Sequence, residues 1–122
     1  MKNHSFTHEC CPEWLIRPAP AAELLKKQGS EQKFIELFRK GDVSIELYAP
    51  EGLDLQTPHL QDEVYFIISG TGIFNLEGER CPFVPNDLIF VPAGKEHRFE
   101  NFTEDFQTWV LFFGPKKESL EV

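Results

Sequence analysis

The chain has 122 residues, 41% of them hydrophobic and 26% charged, a balance that suits one globular domain and excludes a disordered chain. Twelve Lys and Arg stand against twenty Asp and Glu, a formal charge of −8 that argues against nucleic acid or an anionic membrane as the partner. The odd cysteine count (adjacent Cys10 and Cys11, and Cys81) and the lack of an apolar leader-like stretch predict a reduced, cytoplasmic protein. The longest apolar runs, Val64–Ile68 and Trp109–Phe113, fall far short of the ~20 residues of a membrane span.

Residues 1–20 are polar, carry three prolines and show no sustained period, which predicts an irregular arm. Ala21–Gln28 contains good helix formers and stops before Gly29, so residues 1–32 are expected to form an arm with a short helix. From Lys33 the pattern changes to short β-type runs. Lys33–Arg39 and Val43–Tyr48 flank Gly41, an expected hairpin, and Glu63–Ile68 and Gly72–Leu76 flank Ser69-Gly70-Thr71, an expected second one. Arg80–Val84 follows Glu77-Gly78, and Leu88–Val91, Glu96–Phe99 and Gln107–Phe113 complete the set. Short strands at roughly ten-residue spacing predict an all-β antiparallel sandwich or barrel over residues 33–115, its interior filled by many of the twelve phenylalanines. The charged tail, residues 116–122, is expected to fray.

Two of the four histidines lie in the β region. His59 and Glu63 stand at the entrance of one expected strand, and their even spacing puts both on one face. His97 follows Pro92-Ala93-Gly94, a turn that would start a neighbouring strand. If those strands pair, two imidazoles and a carboxylate converge, a set suited to a divalent transition metal with open positions. The bland alternative is a polar network inside a barrel that holds no ion.

The same segments carry a resemblance. His59-x3-Glu63-x6-Gly70 is similar to the second half of the first cupin motif, and Pro92-x-Gly94-x2-His97-x3-Asn101 to the second motif from its proline onward. Paired motifs in order are far more specific than either alone. The resemblance implies a double-stranded β-helix, or jelly-roll barrel, holding one metal ion (iron, zinc, manganese or nickel) through His59, Glu63 and His97. Three positions depart from the pattern. Thr57 stands where the family's first histidine would fall, Glu51 where the first motif has glycine, and Asn86 where the second has glycine. Asn tolerates positive φ, so that last change is mild. With one histidine missing, a water or an amide, Gln56 or Gln61, must complete the ligand set.

Other residues invite weaker readings. Tyr65 shares the face of Glu63 and is a candidate proton donor, with a structural role as the alternative; Glu63 itself is a ligand or a general base. Phe99 shares the face of His97, Arg98 points the opposite way, and Cys81 is expected to be packed. His4, His8, Cys10 and Cys11 place four potential ligands in one short stretch, but without the paired spacing of a structural zinc site. Gln107–Phe113 is apolar on both faces, which predicts a second layer such as the partner of a homodimer. Two functions remain: a metal-dependent oxygenase, isomerase or lyase acting on a small molecule, or a non-catalytic module that binds a small ligand or metal.

Overall fold

In a computed structural model, residues 12–29 and 33–118 are described. His4, His8, Cys10 and Cys11 lie outside them. One helix, α1 (Pro18–Gln28), precedes eight strands: β1 (Phe34–Lys40), β2 (Val43–Tyr48), β3 (Asp62–Ser69), β4 (Gly72–Leu76), β5 (Glu79–Phe83), β6 (Leu88–Val91), β7 (His97–Glu100) and β8 (Gln107–Phe113). All strand pairs are antiparallel. They form a five-stranded sheet ordered β1-β2-β8-β3-β6 and a three-stranded sheet ordered β5-β4-β7. The expected jelly-roll barrel is therefore present.

The helix begins three residues earlier than the sequence reading placed it. Pro18 occupies its first position, where a missing N–H costs nothing, and Gly29 ends it with a left-handed φ of 61°. The helix packs on the outer face of the large sheet, where Ala21, Leu37 and Leu47 are buried together with Trp109 and Ile68 against them. This packing supplies part of the second layer that the doubly apolar β8 demanded. Beyond the helix, Phe66, Leu88 and Phe90 remain substantially exposed on the same face.

Two pairing expectations are corrected. The segments flanking Ser69-Gly70-Thr71 do not form a hairpin: β3 belongs to the large sheet and β4 to the small one. The corner is held by a close backbone approach. Gly70 has φ 86°, and a Cβ there would lie 2.6 Å from the Phe106 Cα. Nor does β7 pair with β3; it pairs with β4 and faces β3 across the barrel. Asn86, in the second motif's glycine position, takes φ 79° as its side chain permits.

The interior between the sheets holds Tyr65, Ile67, Phe74, Phe83, Val91, Phe99, Phe106 and Val110. Phe99 stands at its centre, with ring centroids 4.8 Å from Tyr65 and Phe74 and 4.7 Å from Phe106. Four of the twelve phenylalanines are buried in the barrel and Phe102 and Phe112 pack against them, whereas Phe34, Phe66 and Phe90 are exposed. Cys81 is exposed rather than packed: β5 is an edge strand of the small sheet, and all of its residues but Phe83 are exposed. The start of the tail is also tied down: the Lys117 N–H donates to the Leu60 carbonyl at 2.9 Å.

Candidate metal centre

His59 does not lie on a strand. It lies near the end of the loop 49–61 between β2 and β3, and that loop is fixed at several points. The Gly94 N–H donates to the His59 carbonyl at 2.9 Å, and the Ala93 N–H to Asp62 Oδ1 at 2.8 Å. The Pro92-Ala93-Gly94 turn therefore clamps the histidine segment of the first motif to the strand that carries His97. The even spacing of His59 and Glu63 mattered less than this clamp.

The three residues converge as expected, across the two sheets rather than along one. Their ligating atoms lie within 4.8 Å of one another. Glu63 Oε2 is 3.2 Å from His97 Nε2 and 3.8 Å from His59 Nε2. An ion about 2.1 Å from each donor would set neighbouring donors about 3.0–3.4 Å apart, depending on geometry. Glu63 is 1% exposed, His97 is buried and His59 forms the open side.

The protonation pattern shows what this arrangement lacks. His97 Nδ1 lies 2.9 Å from the Lys95 carbonyl, so it carries the proton and donates. Burial holds the His97 imidazole below its usual range, leaving Nε2 with a bare lone pair aimed at Glu63. Neither His97 Nε2 nor Glu63 Oε1 has a hydrogen-bond partner among the described residues. Burial pushes the Glu63 carboxyl up to about 8, and burial with the adjacent His97 drives His59 down to about 4. When the Glu63 carboxyl is ionised, facing lone pairs in this dry site are costly, and a shared cation removes that cost. The donor set thus fits a divalent transition metal.

The two amides separate clearly. Gln61 Nε2 donates to the carbonyls of Asp42 and Gly114, at 2.6 and 2.9 Å, and ties the β1–β2 turn to the end of β8. Gln56 turns its Oε1 to the centre, 3.1 Å from His59 Nε2 and 3.2 Å from the Tyr65 hydroxyl. Thr57, the position of the absent histidine, is exposed. Tyr65 is fully buried, and its phenol stays protonated because burial and the nearby carboxylates Glu63 and Asp54 push it well up.

Two acids that the sequence reading passed over bear on the site. Asp54, fully buried, accepts hydrogen bonds from the Tyr48 hydroxyl, the Gln56 backbone and side chain, and the Phe99 N–H. Glu46, on β2, lines an open depression of about 340 Å³ beside His59, together with Arg39, Phe112 and Lys116. Burial, with Glu36 directly across the β1–β2 pair, lifts its carboxyl to about 7. Alternation alone could have shown that Ser44, Glu46 and Tyr48 share a face. Arg98, as expected, lies on the outer face of the small sheet beside Asn75.

Residues 44–113 match the family model of the cupin domain. An uncharacterized protein of Streptomyces coelicolor is 31% identical over 93 residues, covering 75% of this chain and 89% of that protein. A stretch of 46 residues is 48% identical to the acireductone dioxygenase of Bacillus thuringiensis, covering 34% of this chain and only 27% of that enzyme. Among solved structures, a cupin 2 conserved barrel domain protein from Salinispora arenicola is similar with a TM-score of 0.61 at 18% identity, covering 82% of this chain and 88% of that one. A DMSP lyase from Ruegeria pomeroyi is similar with a TM-score of 0.57 at 28% identity, covering 66% of this chain and 46% of the lyase. With the barrel, the clamped motifs and a family match over more than half of its length, this chain belongs to the cupin family.

Proposed function

We propose that His59, Glu63 and His97 hold one divalent transition-metal ion, and that the protein is a metal-dependent enzyme acting on a small molecule. The observation that carries this reading is the buried approach of Glu63 Oε2 to His97 Nε2 at 3.2 Å, with His97 Nε2 and the second carboxylate oxygen, Oε1, left without hydrogen-bond partners among the described residues. When bound, the ion supplies Lewis acidity or redox chemistry at positions that the protein leaves open. The protein's own contribution is positional. Lys95 fixes the His97 tautomer, Tyr65 keeps its proton beside Gln56, and the buried aromatic wall of Tyr65, Phe74 and Phe99 excludes water. Substrate enters from the His59 side, where the depression carrying Glu46 opens.

Oxygenase and lyase chemistry come first among the reaction classes, ahead of isomerisation, because the similar proteins named above include a dioxygenase and a lyase. The reading is tested by oxygen uptake and product analysis on iron(II)-loaded protein with a panel of small organic acids and enols. Metal-dependent turnover that is lost in His97→Ala supports it. A tightly bound metal with no turnover on any of the panel would instead leave a binding module.

A second copy of the chain is the proposed partner on the outer face of the large sheet. Val64, Phe66, Leu88, Phe90 and Leu111 form an uncharged surface there, on a chain that carries −8 overall. Like-charged copies repel, and a charge-free apolar face is where that repulsion is weakest.

A further inference from the structure

The family's first histidine is absent, yet the side of the centre that it would close holds an oriented oxygen. Gln56 Oε1 sits 3.1 Å from His59 Nε2, the same spacing within a few tenths of an ångström as Glu63 Oε2 to His97 Nε2. Chance does not set that orientation. An amide carries one donor end and one acceptor end, and rotation by half a turn exchanges them. Asp54 Oδ2 accepts from Gln56 Nε2 at 3.0 Å, while Oδ1 accepts from the Gln56 backbone N–H at 3.1 Å. The Asp54 carboxylate is itself held by the Tyr48 hydroxyl at 2.6 Å and by the Phe99 N–H at 2.8 Å. With its NH2 group committed to a carboxylate, Gln56 must present its carbonyl oxygen to the centre. One lone pair takes the Tyr65 hydroxyl, at 3.2 Å, and the second faces His59 Nε2 at 3.1 Å, where a bound cation would take the place of the proton they share.

We propose that Gln56 Oε1 is the fourth protein ligand of the metal, that Asp54 is the positioning residue that aims it, and that this exchange of imidazole for amide oxygen biases the site toward manganese(II) and iron(II). The bias follows from ligand type. Imidazole suits zinc, copper and nickel, whereas carbonyl and carboxylate oxygens suit harder ions. A neutral amide oxygen is also a weaker donor than imidazole, so a chelating substrate displaces it more readily. The ligand has moved by one position along the chain: Thr57 faces solvent while Gln56 faces inward. This inference rests on the metal-binding reading above.

The test titrates full-length protein with manganese(II) and with zinc(II), and records the visible absorption of the cobalt(II)-loaded form. Gln56→Ala is expected to weaken manganese binding about tenfold or more and to shift the cobalt bands. Gln56→His is expected to move the manganese-to-zinc preference toward zinc. Asp54→Asn replaces one of the two acceptor oxygens that fix the Gln56 segment with an NH2 group and should shift the cobalt bands in the same direction as Gln56→Ala. Because that variant also loses buried hydrogen bonds, the deciding partner is the double variant Asp54→Asn with Gln56→Glu. There the carboxylate at position 56 selects the orientation in which the new NH2 donates to one of its oxygens and leaves the other facing His59, so affinity should recover. An unchanged manganese affinity and unchanged cobalt bands in Gln56→Ala would overturn the proposal, even if His97→Ala abolishes binding. If the wild type takes up neither manganese nor cobalt, the metal-binding reading itself fails.

Discussion

Glu63 and His97 meet 3.2 Å apart although they stand on different sheets, Glu63 on β3 and His97 at the start of β7. The distance suits a hydrogen bond, yet neither His97 Nε2 nor Glu63 Oε1 has a partner among the described residues. Without a cation, that relationship works against folding.

Glu63→Gln tests this conflict. The carboxyl is raised to about 8 in the fold, so the folded state holds its proton more tightly than the unfolded chain does. The resulting destabilisation is absent below the unfolded value near 4.5, grows as pH rises and is complete above about 8. Glu63→Gln should therefore raise the Tm of chelator-treated protein at pH 8, by a few kcal/mol in stability terms, and leave it nearly unchanged at pH 4. In metal-saturated protein the order should reverse. A lower Tm for the variant at pH 8 after chelation would show that Glu63 has a stabilising partner of another kind.

Glu46 offers a pH-dependent contrast at the rim of the centre, beside His59 but outside the three ligands. Its carboxyl is raised to about 7, chiefly by burial, so it too costs stability as pH rises from about 4.5 through 7. Glu46→Gln should raise the Tm at pH 8 but not at pH 4, with metal content unchanged. Thermal melts across that range check it, and a flat difference between the two proteins would contradict it.

At the corner between the sheets, Gly70→Ala is expected to be strongly destabilising. A left-handed φ costs a non-glycine residue about 1–3 kcal/mol, and the added methyl meets the Phe106 backbone besides. Gly78→Ala has a similar φ of 92° and open space around it, so its cost should be the smaller. Urea unfolding of the two variants separates backbone strain from collision. Equal losses would mean that the Phe106 contact is immaterial.

For the proposed dimer, Phe66→Glu combined with Leu88→Glu places like charges on the open half of the apolar face. Sedimentation should find the wild type as a dimer and the double variant as a monomer of unchanged metal content. A monomeric wild type at assay concentrations would remove the second copy from the account.

What could be read in the chain divides along local and non-local lines. The Gly41 and Glu77-Gly78 turns and the bounds of β6 and β8 are set by residues near in sequence, and they stand where the pattern placed them. Ser69-Gly70-Thr71 looks like a hairpin because the signal is local. What makes it a corner is Phe106 and Thr103, more than thirty residues away. His59, Glu63 and His97 were legible through motif spacing, but their meeting across two sheets was not. Gln56 and Gln61 are indistinguishable by composition, and only the buried Asp54 and the carbonyls of Asp42 and Gly114 tell them apart. Glu46 went unnoticed because no motif holds it and β2 alone does not reveal that its inward face overlooks the centre.

The central claim, one metal ion held by His59, Glu63 and His97, is tested most directly by elemental analysis of purified protein beside the His59→Ala and His97→Ala variants. The account predicts about one equivalent of a divalent transition metal in the wild type and its loss from both variants. Metal content that stays the same in all three proteins would contradict it.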